Sequence, residues 1–108
     1  MTDPALDRAL RALADGNRRA ILGVIRQSPR AVGAVADDVG LSQQVTSHHL
    51  RVLRTAGLVT ETRSGVRHLF AVDTDGFAAV RSYLDTFWPA KLAALRDAVE
   101  AQTGASDG

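Results

Sequence analysis

The chain contains no cysteine. Disulfides, thiolate metal sites and a cysteine nucleophile are therefore excluded. Apolar stretches are all short of the roughly 20 residues that span a bilayer. The opening "MTDPALDRALRALADG" has periodic charges and no continuous apolar segment, so it is not a secretory signal. The expected location is cytoplasmic. Glycine-rich phosphate loops are missing, and so is any carboxylate–histidine set on one face. An enzyme therefore finds no support. Acidic residues are scarce over 42–72, where Glu61 stands alone against Arg51, Arg54, Arg63 and Arg67. That stretch carries a local +3, in a chain whose net charge is only +1. Residues 73–108 are acidic instead. A basic middle with an acidic end suits a domain that turns one face to a polyanion.

What is present fits one domain of 108 residues, with 45% apolar and 23% charged residues. Residues 5–14 place Ala5, Leu6, Ala9, Leu10 and Leu13 at helical spacing. Asp15 and Gly16 interrupt that pattern. A second helix is predicted over 17–27, capped by Asn17 and ended by "SPR" at 28–30. Residues 31–39 form a short third helix with Val32, Val35, Ala36 and Val39 inward. Gly40 then stands where a left-handed residue is expected, and Ser42 can cap the next helix. That helix runs to about Ala56 and stops at Gly57. Two helices joined by so short a turn make a helix-turn-helix over 31–56, whose second helix can enter a major groove.

After Gly57 the period becomes strand-like. "LVTETR" and "RHLFAV" flank "SGV", which predicts a hairpin over 58–72 centred on Ser64-Gly65. Residues 75–102 return to helical spacing through Phe77, Val80, Tyr83, Leu84, Phe87, Trp88, Leu92, Leu95 and Val99. Pro89 either kinks one helix or starts a second. The last residues, 103–108, are expected to be a flexible tail.

The adjacent histidines His48 and His49 separate when residues 43–56 are plotted at about 100° per residue. His49 joins Val45, Thr46, Leu50, Val52, Leu53 and Ala56 on the apolar arc. His48 lies opposite, with Gln43, Gln44, Ser47, Arg51, Arg54 and Thr55. A shared metal site is disfavoured, because ligands on one helix sit at i and i+4. His49 is expected to be a structural, partly buried residue. His48 is a candidate DNA reader beside Gln44, Ser47 and Arg51, since Gln can pair with adenine and Arg with guanine. Arg63 and Arg67 flank the hairpin tip, which could follow the phosphate backbone or enter the adjacent minor groove. His68 is expected to be a cross-strand surface residue. The fold class is mainly α with a small β-hairpin, a winged helix-turn-helix.

Three stretches carry a family resemblance: "LADGNRRAIL" (13–22), "GLSQQVTSHHLRVLRTAGLV" (40–59) and "GVRHLFAV" (65–72). They resemble the ArsR family of bacterial winged helix-turn-helix repressors over roughly residues 6–72. The resemblance implies a domain over 1–102 and a homodimer packed through helices 5–14 and 75–102. Leu6, Leu10, Leu84, Phe87, Trp88, Leu92 and Leu95 are the dimerisation candidates. It also implies repression by covering a promoter of double-stranded DNA, relieved by an effector of unknown identity. DNA contacts carry over to Gln43, Gln44, Val45, Ser47 and His48, and wing contacts to Arg63 and Arg67. Where many members carry paired cysteines, Ala31 and Gly33 stand here. The last helix offers Asp85, Asp97 and Glu100 without a histidine, a poor donor set for zinc. "YLDTFWPAKL" (83–92) resembles a branch lacking metal motifs, so no metal or cofactor is expected. The aromatics of that stretch supply dimer core, with an effector pocket as the alternative. Two other functions stay open at this point, a winged-helix protein-interaction module and a metal-responsive repressor with an unrecognised site.

Overall fold

A computed structural model describes residues 3–88 and 95–101. Helix α1 (Pro4–Leu13) starts where the Asp3 carboxylate accepts from the backbone N–H groups of Ala5 and Leu6. Pro4 fills the first turn, where its missing N–H costs nothing. Helix α2 (Gly16–Ile25) is capped by Asp15, not by Asn17 as predicted. The Asp15 carboxylate reaches both Asn17 N–H, at 2.8 Å, and Arg18 N–H, at 3.1 Å. The Arg18 amide bond holds that carboxyl below its ordinary pKa, helped by Asn17 and opposed by desolvation.

The chain then forms a two-residue strand that the sequence reading did not include. Strand β1 (Arg30–Ala31) precedes α3 (Val32–Val39), so the third helix starts one residue later than predicted. The short turn 40–42 leads to α4 (Gln43–Thr55). Gly40 adopts φ 72°, and the N–H groups of Gly40 and Leu41 both donate to Ala36 C=O. A side chain at Gly40 would be strained there, so this glycine sets the angle between α3 and α4. The Ser42 hydroxyl accepts from Val45 N–H at 3.1 Å, as predicted for its cap.

Strands β2 (Val59–Ser64) and β3 (Arg67–Val72) pair antiparallel, and β1 pairs with the far edge of β3. The sheet order is β1-β3-β2. The loop between the long strands is Gly65-Val66, one residue later than predicted, with Ser64 and Arg67 closing it. Gly65 has φ 65° and Val66 does not have positive φ, the pattern of a type II′ turn. A 3₁₀ turn (Thr74–Phe77) then leads into α5 (Ala78–Asp85), which packs on α1. Residues 95–101 include a further helical stretch. Pro89, Leu92 and the tail at 103–108 lie outside the described residues.

The core is made by Ile21 and Ile25 of α2, Val35 of α3, Leu50 and Leu53 of α4, and Leu58. All are fully buried. Each such side chain contributes about 1.5–3 kcal/mol of transfer free energy. That term seats α4 on α2 and α3 and so fixes which of its faces meets solvent.

Candidate nucleic-acid interface

Helix α4 is sorted by burial. Thr46, His49, Leu50 and Leu53 are buried. Gln43, Gln44, Val45, His48, Arg51, Arg54 and Thr55 are exposed, and Ser47 is half-buried. The helical plot thus separates the two histidines correctly. It misplaces Val45, which is 44% exposed although it falls on the apolar arc. The buried stripe of α4 runs through Thr46, His49, Leu50 and Leu53, and Val45 lies on its flank. The Thr46 hydroxyl donates to Ser42 C=O at 2.8 Å, which removes the cost of burying it.

His49 is held by a residue far away in sequence. Arg18 Nη1 lies 3.4 Å from His49 Nδ1. A guanidinium only donates, so His49 Nδ1 is the acceptor. The same Arg18 donates through Nε to Ala12 C=O at 2.7 Å and through Nη2 to Arg11 C=O at 3.1 Å. One arginine therefore closes the end of α1 and supports the back of α4. The sequence offered no local signal for this, because Arg18 and His49 lie 31 residues apart, with β1 and α3 between them.

The two wing arginines are not equivalent. Arg63 is paired with His68, and Ser64 with Arg67. Directly opposed residues share a face, so Arg63 lies with Glu61, His68, Phe70 and Val59, while Arg67 lies with Ser64 on the other face. Val59 is buried and Phe70 packs against the core, so the Arg63 face is the one turned towards the helices. Both arginines are exposed, and Val66 at the tip is 97% exposed.

Glu61 links the wing to α4, a role the sequence reading did not assign. Its carboxylate accepts from Arg54 of α4 and from His68 of β3. Since a carboxylate only accepts, His68 Nδ1 carries the hydrogen. The His68 bond is the main reason the Glu61 carboxyl sits below its usual pKa, with Arg54 adding to it and desolvation opposing. Ser47, Arg51, Arg54, Glu61 and Phe70 line a 170 Å³ hollow between α4 and the wing. Arg51 has no ion pair among the described residues. The first turn of α4 contains no acidic residue, which leaves its positive helix end open to phosphate.

Comparison with known proteins identifies this arrangement. A family description, "Helix-turn-helix domain", matches residues 13–62. The HTH-type transcriptional regulator Rv2034 of Mycobacterium tuberculosis is 42% identical over 96 residues, 89% of this chain and 90% of that protein. A solved homodimeric winged helix-turn-helix DNA-binding domain from Mycobacterium bovis, Mb0332, a possible ArsR-family regulator, is 30% identical. It superposes with a TM-score of 0.64 over 82% of this chain and 92% of that one. The chain belongs to the ArsR family of winged helix-turn-helix transcriptional regulators. Another similar member is the M. tuberculosis repressor SmtB, 41% identical over 66 residues, which are 61% of this chain and 49% of that protein. In this ArsR-family chain α3 and α4 make the helix-turn-helix, and the β2–β3 hairpin after it is the wing.

The remaining site candidates belong to a different surface. Leu10, Leu84, Phe87, Trp88 and Leu95 are exposed, and Leu6 is half-buried against the core. Tyr83 and Phe87 stack edge to face at 5.0 Å. Among the described residues no three His, Asp or Glu side chains group as metal ligands. Among them also, no helix is long and apolar enough to cross a membrane.

Proposed function

We propose that this regulator is a cytoplasmic homodimeric repressor that reads an inverted repeat without a metal. The observation that carries the reading is the sorting of α4. Its exposed side holds Gln43, Gln44, Val45, Ser47, His48 and Arg51, with no carboxylate among them. Gln44 and Arg51 supply the forked groups that distinguish base edges, and Ser47 and His48 supply single hydrogen bonds. Val45 presents an apolar surface suited to a thymine methyl. Arg63 and Arg67 meet the backbone beside the major groove.

The dimer reading rests on exposed apolar side chains. Phe87 and Trp88 are 63% and 51% exposed. Aromatic side chains bury about 150–250 Å² each, worth several kcal/mol at about 25 cal/mol/Å². Surface ion pairs give at most about 1 kcal/mol. Apolar burial therefore decides the association, through Leu10 on α1, Leu84 on α5, and the Phe87, Trp88 and Leu95 that follow. Leu92 joins this set by its spacing. No catalytic role is assigned to any residue. The metal-independent reading is supported by a donor set with no cysteine and three histidines confined to α4 and β3.

Selection from a random oligonucleotide pool tests this. An inverted repeat should be enriched, with half-site centres about 34 Å apart, one helical turn. Sedimentation should find two chains per duplex. An unenriched pool together with a monomeric protein would overturn the reading.

A further inference from the structure

A cleft of 360 Å³ opens between α1 and α4, and Arg51 borders both it and the hollow beside the wing. Arg8 and Arg11 of α1, Arg18 of α2, and His48, Arg51 and Val52 of α4 line it. Its size falls within the roughly 300–1,000 Å³ of small-molecule sites. Ala12 and Val52 give it an apolar floor. No carboxylate lines it among the described residues. Arg18 is already committed to the carbonyls of Arg11 and Ala12 and to His49. Arg8, Arg11 and Arg51 have no ion pair among the described residues. Three uncompensated guanidinium groups thus surround an apolar hollow.

We propose that this cleft binds an amphipathic organic anion, a small apolar body bearing a phosphate or carboxylate, and that the bound anion displaces DNA. The charge calls for an anion, and guanidinium forks match its oxygens two at a time. The floor calls for an apolar body, which inorganic anions lack. Competition follows from shared residues, because His48 and Arg51 stand on the recognition face as well as in the cleft. This second half rests on α4 being the DNA-reading helix.

The cleft is also separate from the proposed dimer surface. At about 100° per residue, Leu10 and Arg8 fall on opposite flanks of the stripe marked by the buried Ala9 and Ala12. A partner packed on Leu10 would leave the Arg8 side open.

The probe is octyl phosphate below its micellar range, titrated by calorimetry into the full chain. One site per chain is expected. Inorganic phosphate, the charge alone, and octanol, the apolar body alone, should each bind at least tenfold more weakly. The double variant Arg8→Gln/Arg11→Gln should weaken octyl phosphate at least tenfold while keeping the wild-type melting temperature, since both side chains are exposed. In fluorescence anisotropy, octyl phosphate should raise the Kd for a selected duplex at least tenfold with wild type and leave the double variant unaffected. Equal anion binding by wild type and double variant would overturn the site. So would inorganic phosphate matching octyl phosphate, or no binding of any probe. A double variant that loses DNA affinity as much as anion affinity would instead assign these arginines to the DNA backbone. A wild-type chain that binds octyl phosphate but no DNA supports the site and overturns the competition, together with the DNA reading beneath it.

Discussion

Two neighbouring histidines on one helix point about 100° apart, so the core can claim only one of them. His49 is 8% exposed and accepts from Arg18, while His48 faces solvent. Removing the His49 ring leaves a cavity and strands a guanidinium donor. His49→Ala should cost about 1–3 kcal/mol, lowering the melting temperature by about 4–8 °C for each kcal/mol. His48→Ala should leave the melting temperature within error and weaken DNA binding. Thermal melts of both variants check this, and the reverse order would contradict the division of roles. The division itself was legible in sequence, because helical period is a local property. The partner of His49 was not, because hydrogen bonds between distant elements leave no periodic trace. Val45 shows the same limit from the other side. Its apolar character fits the core arc, yet the buried stripe runs through Thr46, His49, Leu50 and Leu53 and leaves Val45 on its flank in solvent.

At the scale of the elements, the Glu61 carboxylate ties the wing to α4 beside their apolar packing. Glu61 on β2 accepts from Arg54 on α4 and His68 on β3. Its carboxyl is held below the usual pKa, mainly by the His68 bond. Stabilisation from such a depressed group is present above its unfolded pKa and fades as pH falls through the lower folded value. Glu61→Gln should therefore lower the melting temperature slightly at neutral pH. The gap from wild type should close below the ordinary carboxylate range. Melts across an acid pH series measure it, and a gap independent of pH would contradict the clamp. Short, strongly signalled pieces of this architecture were readable beforehand: the Ser42 cap, the Gly40 turn and the paired strands. Strand β1 was not, since two residues, Arg30 and Ala31, carry no period. Their strand character comes only from the edge of β3. The Asp15 cap was missed because Asn17, two residues on, offers a similar side chain. Nor could spacing alone show that Arg63 and Arg67 lie on opposite faces of the wing. The register decides that.

For the whole molecule, charge and apolarity are divided between two surfaces. The basic residues of 42–72 sit on α4 and the wing, while exposed aromatics follow α5 and Leu10 lies on α1. Family likeness and fold agree on what such a molecule is, a winged-helix transcriptional regulator. The composite basic face belongs to neither helix nor wing alone, so its test must disturb both. The most direct measurement is the affinity of wild type, Arg51→Ala and Arg63→Ala for a selected inverted repeat across a salt series. Wild-type affinity should fall steeply with salt, by about 0.9 in log K per unit log salt for each phosphate neutralised. Arg51→Ala, at a base edge, should lose about 1–3 kcal/mol of binding and relax specificity there. Arg63→Ala should weaken all sequences alike and reduce the salt slope by about 1 for each phosphate contact removed. Wild-type affinity and slope in both folded variants would contradict the assignment of this face to DNA.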